Sequence, residues 1–381
     1  MSTPLRPEDA KRFHPLKAFF RARLGAGARK VSLDAGFSCP NRDGSLSRSG
    51  CLFCNPAGSG TGLLEQGLGL AAQWELLAPR LRARHPGTLL LAYLQSYSNT
   101  HGSIERLRAV LAEISALPGV AGLCIGTRPD CLDVGPDMGP TVRVEVGPGM
   151  GPDAGVAGGT HERLDALAAF MRQQGQGPVA AFADVPAASR HAAAPAGPAG
   201  PSSFFVQLDL GLQSADDAVL ARINRGHDAA CFARATRAAA ARGISVCAHL
   251  VHGLPGAGPD DLERSVDFLN TLPVAGVKLH NLLVCRGSGL EGLWRAGGYA
   301  PPGREDYVQA VVRALTRLRP DVCVQRLAAD PAPGELLAPD WGADKAATLA
   351  RIRFELARQD TWQGKDGYCP DELPDWSRLP D

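Results

Sequence analysis

The chain has 381 residues, 45% hydrophobic and 21% charged, which supplies apolar material for a large core and excludes a disordered or fibrous sequence. Forty Lys and Arg against 39 Asp and Glu leave a formal net charge of +1, so a surface that is basic throughout and built for polyanions is excluded, though a local patch is not. No apolar run reaches the roughly 18–20 residues of a membrane span.

The first 30 residues hold eight Lys and Arg against two acids and no apolar signal core, and read as a solvated face with no secretory or membrane segment. A first strand is predicted over Lys30–Leu33 and runs into DAGFSCPNRDGSLSRSGCLFC, a loop by its Gly, Ser and Asn content. Thr88–Gln95 is a continuous apolar run and reads as a buried strand. Ser103 caps a helix with Ile104, Leu107, Leu111 and Ile114 on one face, and a third strand follows over Val120–Gly126. A fourth, Phe204–Gln213, leads to a helix capped by Ser214, and Asp228 caps the next, which stops at Gly243. A fifth strand over Ile244–Val251, a helix opened by Pro259 and a sixth strand over Val277–Val284 complete the series. Strands alternating with helices at this spacing mean βαβ units on a parallel sheet. Six repeats suit a partial barrel better than a closed eightfold one, with a doubly wound sheet as the alternative.

Two stretches break the rhythm. Residues 134–160 are dominated by Gly and Pro, and 176–203 by Ala, Pro and Gly; neither composition can offset its ordering entropy, so both are expected to be loosely ordered insertions. Between them Leu164, Leu167, Ala168 and Met171 mark one short amphipathic helix. The core is assigned to residues 1–285 and a C-terminal extension to 286–381, with a helix near Glu305–Leu318, a strand near Val322–Leu327 and a helix near Asp344–Arg358.

Most of the ten cysteines sit alone in apolar runs, as Cys124, Cys247 and Cys323 do, which suits reduced thiols in a reducing cytoplasm. Cys39, Cys51 and Cys54 differ: they form C-x11-C-x2-C in the loop after the first strand, a soft-metal donor set without a fourth ligand at zinc spacing. An iron–sulfur cluster with one open iron, a zinc site, a redox pair at Cys51 and Cys54, and unrelated loop cysteines all compete for this pattern. The predicted strand ends read LQSYSNT, GTRPDC, DLGLQS, HLVHGLPG and KLHNL, polar and glycine-rich after each apolar run, and would open on one rim with the cysteine loop.

These blocks, KVSLDAGFSCPNRDGSLSRSGCLFCN, AYLQSYSNT, GLCIGTRPDC, DLGLQSADDAVLARINRGHD, VCAHLVHGLPG and GVKLH, resemble the radical S-adenosylmethionine superfamily, and within it the YhcC-type bacterial family. Several are also similar to the elongator catalytic subunit and to the oxygen-independent coproporphyrinogen oxidases. The resemblance implies a partial (β/α)6 TIM-like barrel with a C-terminal α/β extension, a 4Fe-4S cluster on Cys39, Cys51 and Cys54, and S-adenosylmethionine chelating the open iron. By position it implies cofactor contacts at Gln95 and Asn99 near the methionine amino group and at Gln213 and Arg225 near ribose and carboxylate. It also implies contacts at Gly253 and Gly256 in the fifth-strand glycine segment, and at Lys278 and His280 near adenine. An external electron donor of flavodoxin or ferredoxin type is implied too. RNA modification and small-molecule chemistry are both open as the downstream reaction, and a non-catalytic zinc-binding RNA-interaction protein is the alternative.

The resemblance has departures: the cysteine spacing is longer than C-x3-C-x2-C, and His252 stands where an aliphatic residue is expected. Other readings of single residues are structural. Arg225 can pair with Asp130, His249 reads as a satisfied core histidine, the direction of Asp209 is open, and GSGLEG (287–292) is a false dinucleotide motif.

Overall fold

The computed structural model describes residues 11–56, 58, 60–133, 161–175 and 204–378. The two stretches read as insertions, 134–160 and 176–203, lie outside the described residues.

The chain opens with α1 (Leu16–Leu24), β1 (Ala28–Leu33), α2 (Pro40–Asp43), α3 (Leu70–Arg84), β2 (Leu89–Leu94), α4 (Ile104–Ser115) and β3 (Val120–Thr127). After α5 (Glu162–Gly175) come β4 (Phe205–Gln213), α6 (Asp217–Arg222), α7 (Ala229–Ala240), β5 (Ser245–His252), α8 (Asp261–Asn270) and β6 (Gly276–Asn281). The chain continues through β7 (Val284–Cys285), α9 (Gly289–Arg295), α10 (Arg304–Arg317), β8 (Cys323–Arg326), β9 (Leu336–Ala338) and α11 (Lys345–Arg358).

Seven of these strands form one parallel sheet in the order β1-β2-β3-β4-β5-β6-β8. Strand order equals chain order throughout, as expected when each crossover helix packs on the same outer face. The apolar runs become strands buried on both faces, β2 and β4 along their whole length. Leu107, Val110, Leu111 and Ile114 of α4, and Leu262, Val266 and Leu269 of α8, bury against the outer face.

The sheet curls into a partial barrel. Lys30 on one edge strand hydrogen-bonds Gln325, beyond the middle of the other edge strand, at 3.1 Å. The gap between the edges is bridged at one end by α1: Pro15, just before it, pairs with Val324, and Phe20 packs with Leu89, Leu91, Cys124 and Phe205 inside the barrel. The basic N-terminus is therefore not wholly a solvated face; its apolar stripe plugs the barrel while Lys17 and Arg21 stay exposed. The strand placed in the C-terminal extension, β8, completes the barrel sheet beside β6.

The caps at Ser103 and Asp228 are as read, accepting from Arg106 N and Cys231 N. Ser214 is not a cap. Its hydroxyl donates to Asp261 at 2.8 Å and accepts from Asp216 N at 3.0 Å, and it is Asp216 that takes the α6 amides. The sixth strand ends at Asn281, and Val284–Cys285 turns away to pair antiparallel with β9.

Candidate metal centre

Cys39, Cys51 and Cys54 open on one cavity of about 520 Å³ at the C-terminal ends of the strands. Cys39 is the N-cap position of α2, with Pro40 at its first turn and Gly44 left-handed at its end. Asn41 in that turn is fully buried and fastens the loop: its amide donates to Asn224 O at 2.6 Å, Arg225 O at 3.3 Å and Cys51 Sγ at 3.4 Å. Arg42 ties the far side by donating to Cys54 O and Asn55 O at 3.3 and 2.5 Å. The GSGLEG segment starts α9 and braces the same loop, with Leu290 N donating to Leu52 O at 2.8 Å; it makes no dinucleotide fold.

Two guanidiniums face Cys51. Arg225 Nη1 donates to its sulfur at 3.5 Å and Nη2 to Gly211 O at 2.7 Å. Arg128 lies 4.0 Å from the sulfur, holds Asp130 through two bonds at 2.9 and 2.7 Å, and donates to Arg225 O. Asp130 thus pairs with Arg128, and Arg225 is left to the cavity. A hydrogen bond from the Cys54 thiol, opposed by burial and aided by Arg225 and Arg128, holds Cys51 well below the ordinary thiol range. Giving up that hydrogen bond, together with burial, pushes Cys54 well above it. Cys124, buried away from the loop, is pushed up to about 11.

The donors fit an iron–sulfur cluster better than one enclosed ion. Among the described residues, the one Cys, His or carboxylate set with ligand atoms within 4.8 Å of one another is Asp209, Cys247 and His249, not the clustered thiols. A zinc ion needs its ligands around a single centre, whereas a cluster offers each thiolate its own iron. Arg225 Nε is buried without a partner, a donor left over for an anionic group at this end of the cavity.

The remaining predicted contacts divide. Gln95, Gln213, Arg225, Lys278 and His280 line the cavity with the thiols. Gly211 is what lets Gln213 and Arg225 lie side by side: a Cβ there would stand 2.6 Å from Arg225 Nη2 and collide with Gln213 Nε2. Asn99, Gly253 and Gly256 are not in the wall. The Asn99 amide is consumed by Leu94 O, Ser96 O and Gly126 O at 2.9–3.2 Å, because the turn after β2 needs those carbonyls satisfied. Gly253 faces Pro302, and Gly256 faces Arg222.

Deeper in the barrel lies a charged layer. Asp209 points inward and is wholly buried, its Oδ2 2.6 Å from Lys278 Nζ and 3.2 Å from Lys30 Nζ, its Oδ1 accepting from Gln207 at 2.6 Å. Burial would raise its carboxyl, but the two ammoniums outweigh burial and hold it well below the usual range. Both lysines also lie 4.9 Å from the Tyr93 ring centroid. His249 Nε2 is buried 3.9 Å from Asp209 without a hydrogen bond, so the satisfied core histidine expected from sequence is not found. Burial, then Lys278, lowers His249 to about 4. With two ammoniums on Asp209, this layer rejects a cation, and the Asp209–Cys247–His249 set is not a metal site.

Sequence reading alone missed Asn41 and Arg128, which orient Cys51, and Arg326, which lines the cavity from β8. Arg128 carried a signal, since it stands in a strand-end block, GTRPDC; nothing local marked the other two.

A family model for the radical SAM superfamily matches residues 193–269, and one for the radical SAM C-terminal domain matches 274–358. The chain is 33% identical over 319 residues to YhcC of Escherichia coli K12, covering 84% of each. It is 28% identical over 355 residues to YtqA of Bacillus subtilis 168, covering 93% of this chain and 92% of that one. Among solved structures, Elp3 of the archaeon Methanocaldococcus infernus, with residues 1–46 deleted, superposes with a TM-score of 0.58 at 14% identity. That match covers 88% of this chain and 64% of the Elp3 chain, and shows a shared fold.

Proposed function

The chain belongs to the radical SAM superfamily and is a radical SAM enzyme. From that premise we propose that it cleaves S-adenosylmethionine reductively, at a 4Fe-4S cluster on Cys39, Cys51 and Cys54, to start radical chemistry on a substrate held in the barrel. The observation that carries the reading is the opening of three thiols on one strand-end cavity beside a guanidinium with an unpartnered buried Nε. When bound, the cluster supplies the electron that breaks the sulfonium and releases a 5′-deoxyadenosyl radical.

The chain's own residues bind and orient. Arg225 offers Nε to the methionine carboxylate while Gly211 O and Cys51 fix the rest of its fork. Gln95, held by the Ser32 hydroxyl at 3.0 Å, and Gln213 present amides to the amino group and ribose. Lys278 and His280 stand farther along the wall toward adenine. The apolar plug around Phe20 closes the opposite end of the barrel to water. The electron comes from an external flavodoxin- or ferredoxin-type donor. All ten cysteines are free thiols, which suits the reducing cytoplasm such a cluster needs. No helix among the described residues is long and apolar enough to cross a membrane.

Anaerobic reconstitution with iron and sulfide, followed by S-adenosylmethionine and a reductant, tests the reading. Four irons per chain and 5′-deoxyadenosine are expected. Zinc without visible absorbance would favour the non-catalytic zinc-binding, RNA-interacting alternative, and nucleic acid retained on purification would favour an RNA substrate.

A further inference from the structure

Arg326 lies at the end of β8, in register with Lys278 on β6, and lines the same cavity as the three thiols. It makes no hydrogen bond or ion pair among the described residues, whereas every other arginine in that wall is engaged: Arg42 by carbonyls, Arg128 by Asp130, Arg225 by Gly211. The acids of the wall do not neutralise it. Asp330 pairs with Lys345, Glu335 accepts from Asn55 at 2.7 Å, and Asp209 is taken by two lysines.

The wall of the cavity thus carries five cations, Arg42, Arg128, Arg225, Lys278 and Arg326, against three carboxylates, Asp209, Asp330 and Glu335. The two imidazoles beside them add unpartnered ring nitrogens and no compensating negative charge. The His249 and His280 rings lie 5.4 Å apart, tilted at 39°, and each has an Nε2 that is buried without a partner. Burial, then His249 and Arg326, keeps His280 well below its usual range, so both rings are neutral at pH 7. An excess of positive charge facing a cavity, with a planar donor fork and unpartnered imidazole nitrogens, is an arrangement for an oxyanion.

We propose that the cavity wall formed by Arg326 and His249, next to the adenine end at His280, is a substrate subsite for the carboxylate or phosphate monoester of a small molecule. Calling the ligand a substrate rests on the radical SAM reading; the anion site itself does not. A nucleobase swung in from RNA would bring a neutral ring to this wall and leave its phosphates on the strand outside. The segment behind Arg326 is anchored at two points: Ala329 N donates to Asn281 Oδ1 at 2.9 Å, and Glu335 ties it to the cysteine loop.

Calorimetric titration of the reconstituted full chain, saturated with S-adenosylmethionine, with inorganic phosphate and with succinate tests the proposal. At least one anion is expected to bind saturably, and Arg326→Gln to weaken it about tenfold or more, with iron content and S-adenosylmethionine affinity as in the parent. Phosphate preference identifies a phosphate ester, and succinate preference a carboxylate. Arg326→Lys, which keeps the charge and loses the fork, should fall between, and serves if Arg326→Gln does not fold. The proposal is overturned if neither anion binds, if Arg326→Gln binds as well as the parent, or if S-adenosylmethionine displaces the probe, which would make Arg326 a contact of the cofactor's own carboxylate. Arg326-dependent binding of a single-stranded RNA oligonucleotide without small-anion binding overturns it too. Failure to load iron would sink the radical SAM reading alone, because phosphate titration of the cluster-free chain still reads the site.

Discussion

Replacing Asp209 by Asn tests whether the buried charged layer holds the barrel together. The carboxylate is fully buried, and its Oδ2 receives Lys278 at 2.6 Å and Lys30 at 3.2 Å. Asparagine keeps an oxygen for Gln207 but removes the charge that both ammoniums were desolvated against. Losing one partner of a buried pair costs about 3–5 kcal/mol, because what remains is an uncompensated buried charge. Here two cations are stranded, with partial relief from the Tyr93 ring and Gln325, so the middle of that range is expected. At about 2.1 cal/mol/K per residue, a chain of 381 residues unfolding as one unit has an unfolding entropy of about 0.8 kcal/mol/K, so the melting midpoint should fall by about 4–6 °C. Thermal unfolding of the cluster-free chain, followed by far-ultraviolet circular dichroism, measures the midpoint, and urea unfolding followed by tryptophan fluorescence measures the free energy. Adding Lys278→Met should recover part of the loss by removing one stranded cation. An Asp209→Asn protein within about 1 kcal/mol of the parent, or a double variant weaker than the single one by a full further increment, would refute the reasoning.

Cys→Ala at position 39, 51 or 54 should abolish stoichiometric iron on reconstitution while Cys124→Ala, a buried thiol away from the loop, retains it; iron analysis decides. Gly211→Ala should fold yet weaken S-adenosylmethionine binding about tenfold in equilibrium titration, because its methyl displaces the Arg225 fork and Gln213 together. Arg225→Lys should weaken it over a similar range with iron content retained; unchanged affinity would return Arg225 to a purely structural role. Stability should fall as pH drops from about 6.5 toward 4. Over that window the unfolded chain protonates histidines that burial keeps neutral in the fold, among them His249 at about 4 and His227 at about 3. A further loss follows below about pH 4, where unfolded carboxyls take protons that Asp209, depressed in the fold, refuses. A midpoint that stays level from pH 7 to 5 would contradict the first part.

The strands were legible because a parallel sheet covered on both faces demands unbroken apolar runs, and Leu89–Leu94 and Phe205–Gln213 announce themselves as such. The cysteine loop was legible because its three thiols are close in sequence and follow the first strand. Interactions between residues distant along the chain were not. Ser214 looked like a cap, but its hydroxyl ties Asp261, 47 residues on, to Asp216 N, and Asp216 caps the helix. His249 looked like a core residue until the curl of the sheet turned it to a cavity with no partner for Nε2. Asn41 carries no mark in sequence, since its role is set by Asn224 and Arg225. Sequence by itself determined the βαβ rhythm and the donor set, both of which depend on neighbours a few residues apart. Only tertiary structure decided which side chains face the barrel interior together, because Lys30, Asp209, Lys278 and Arg326 meet through sheet register and the closing of its two edges.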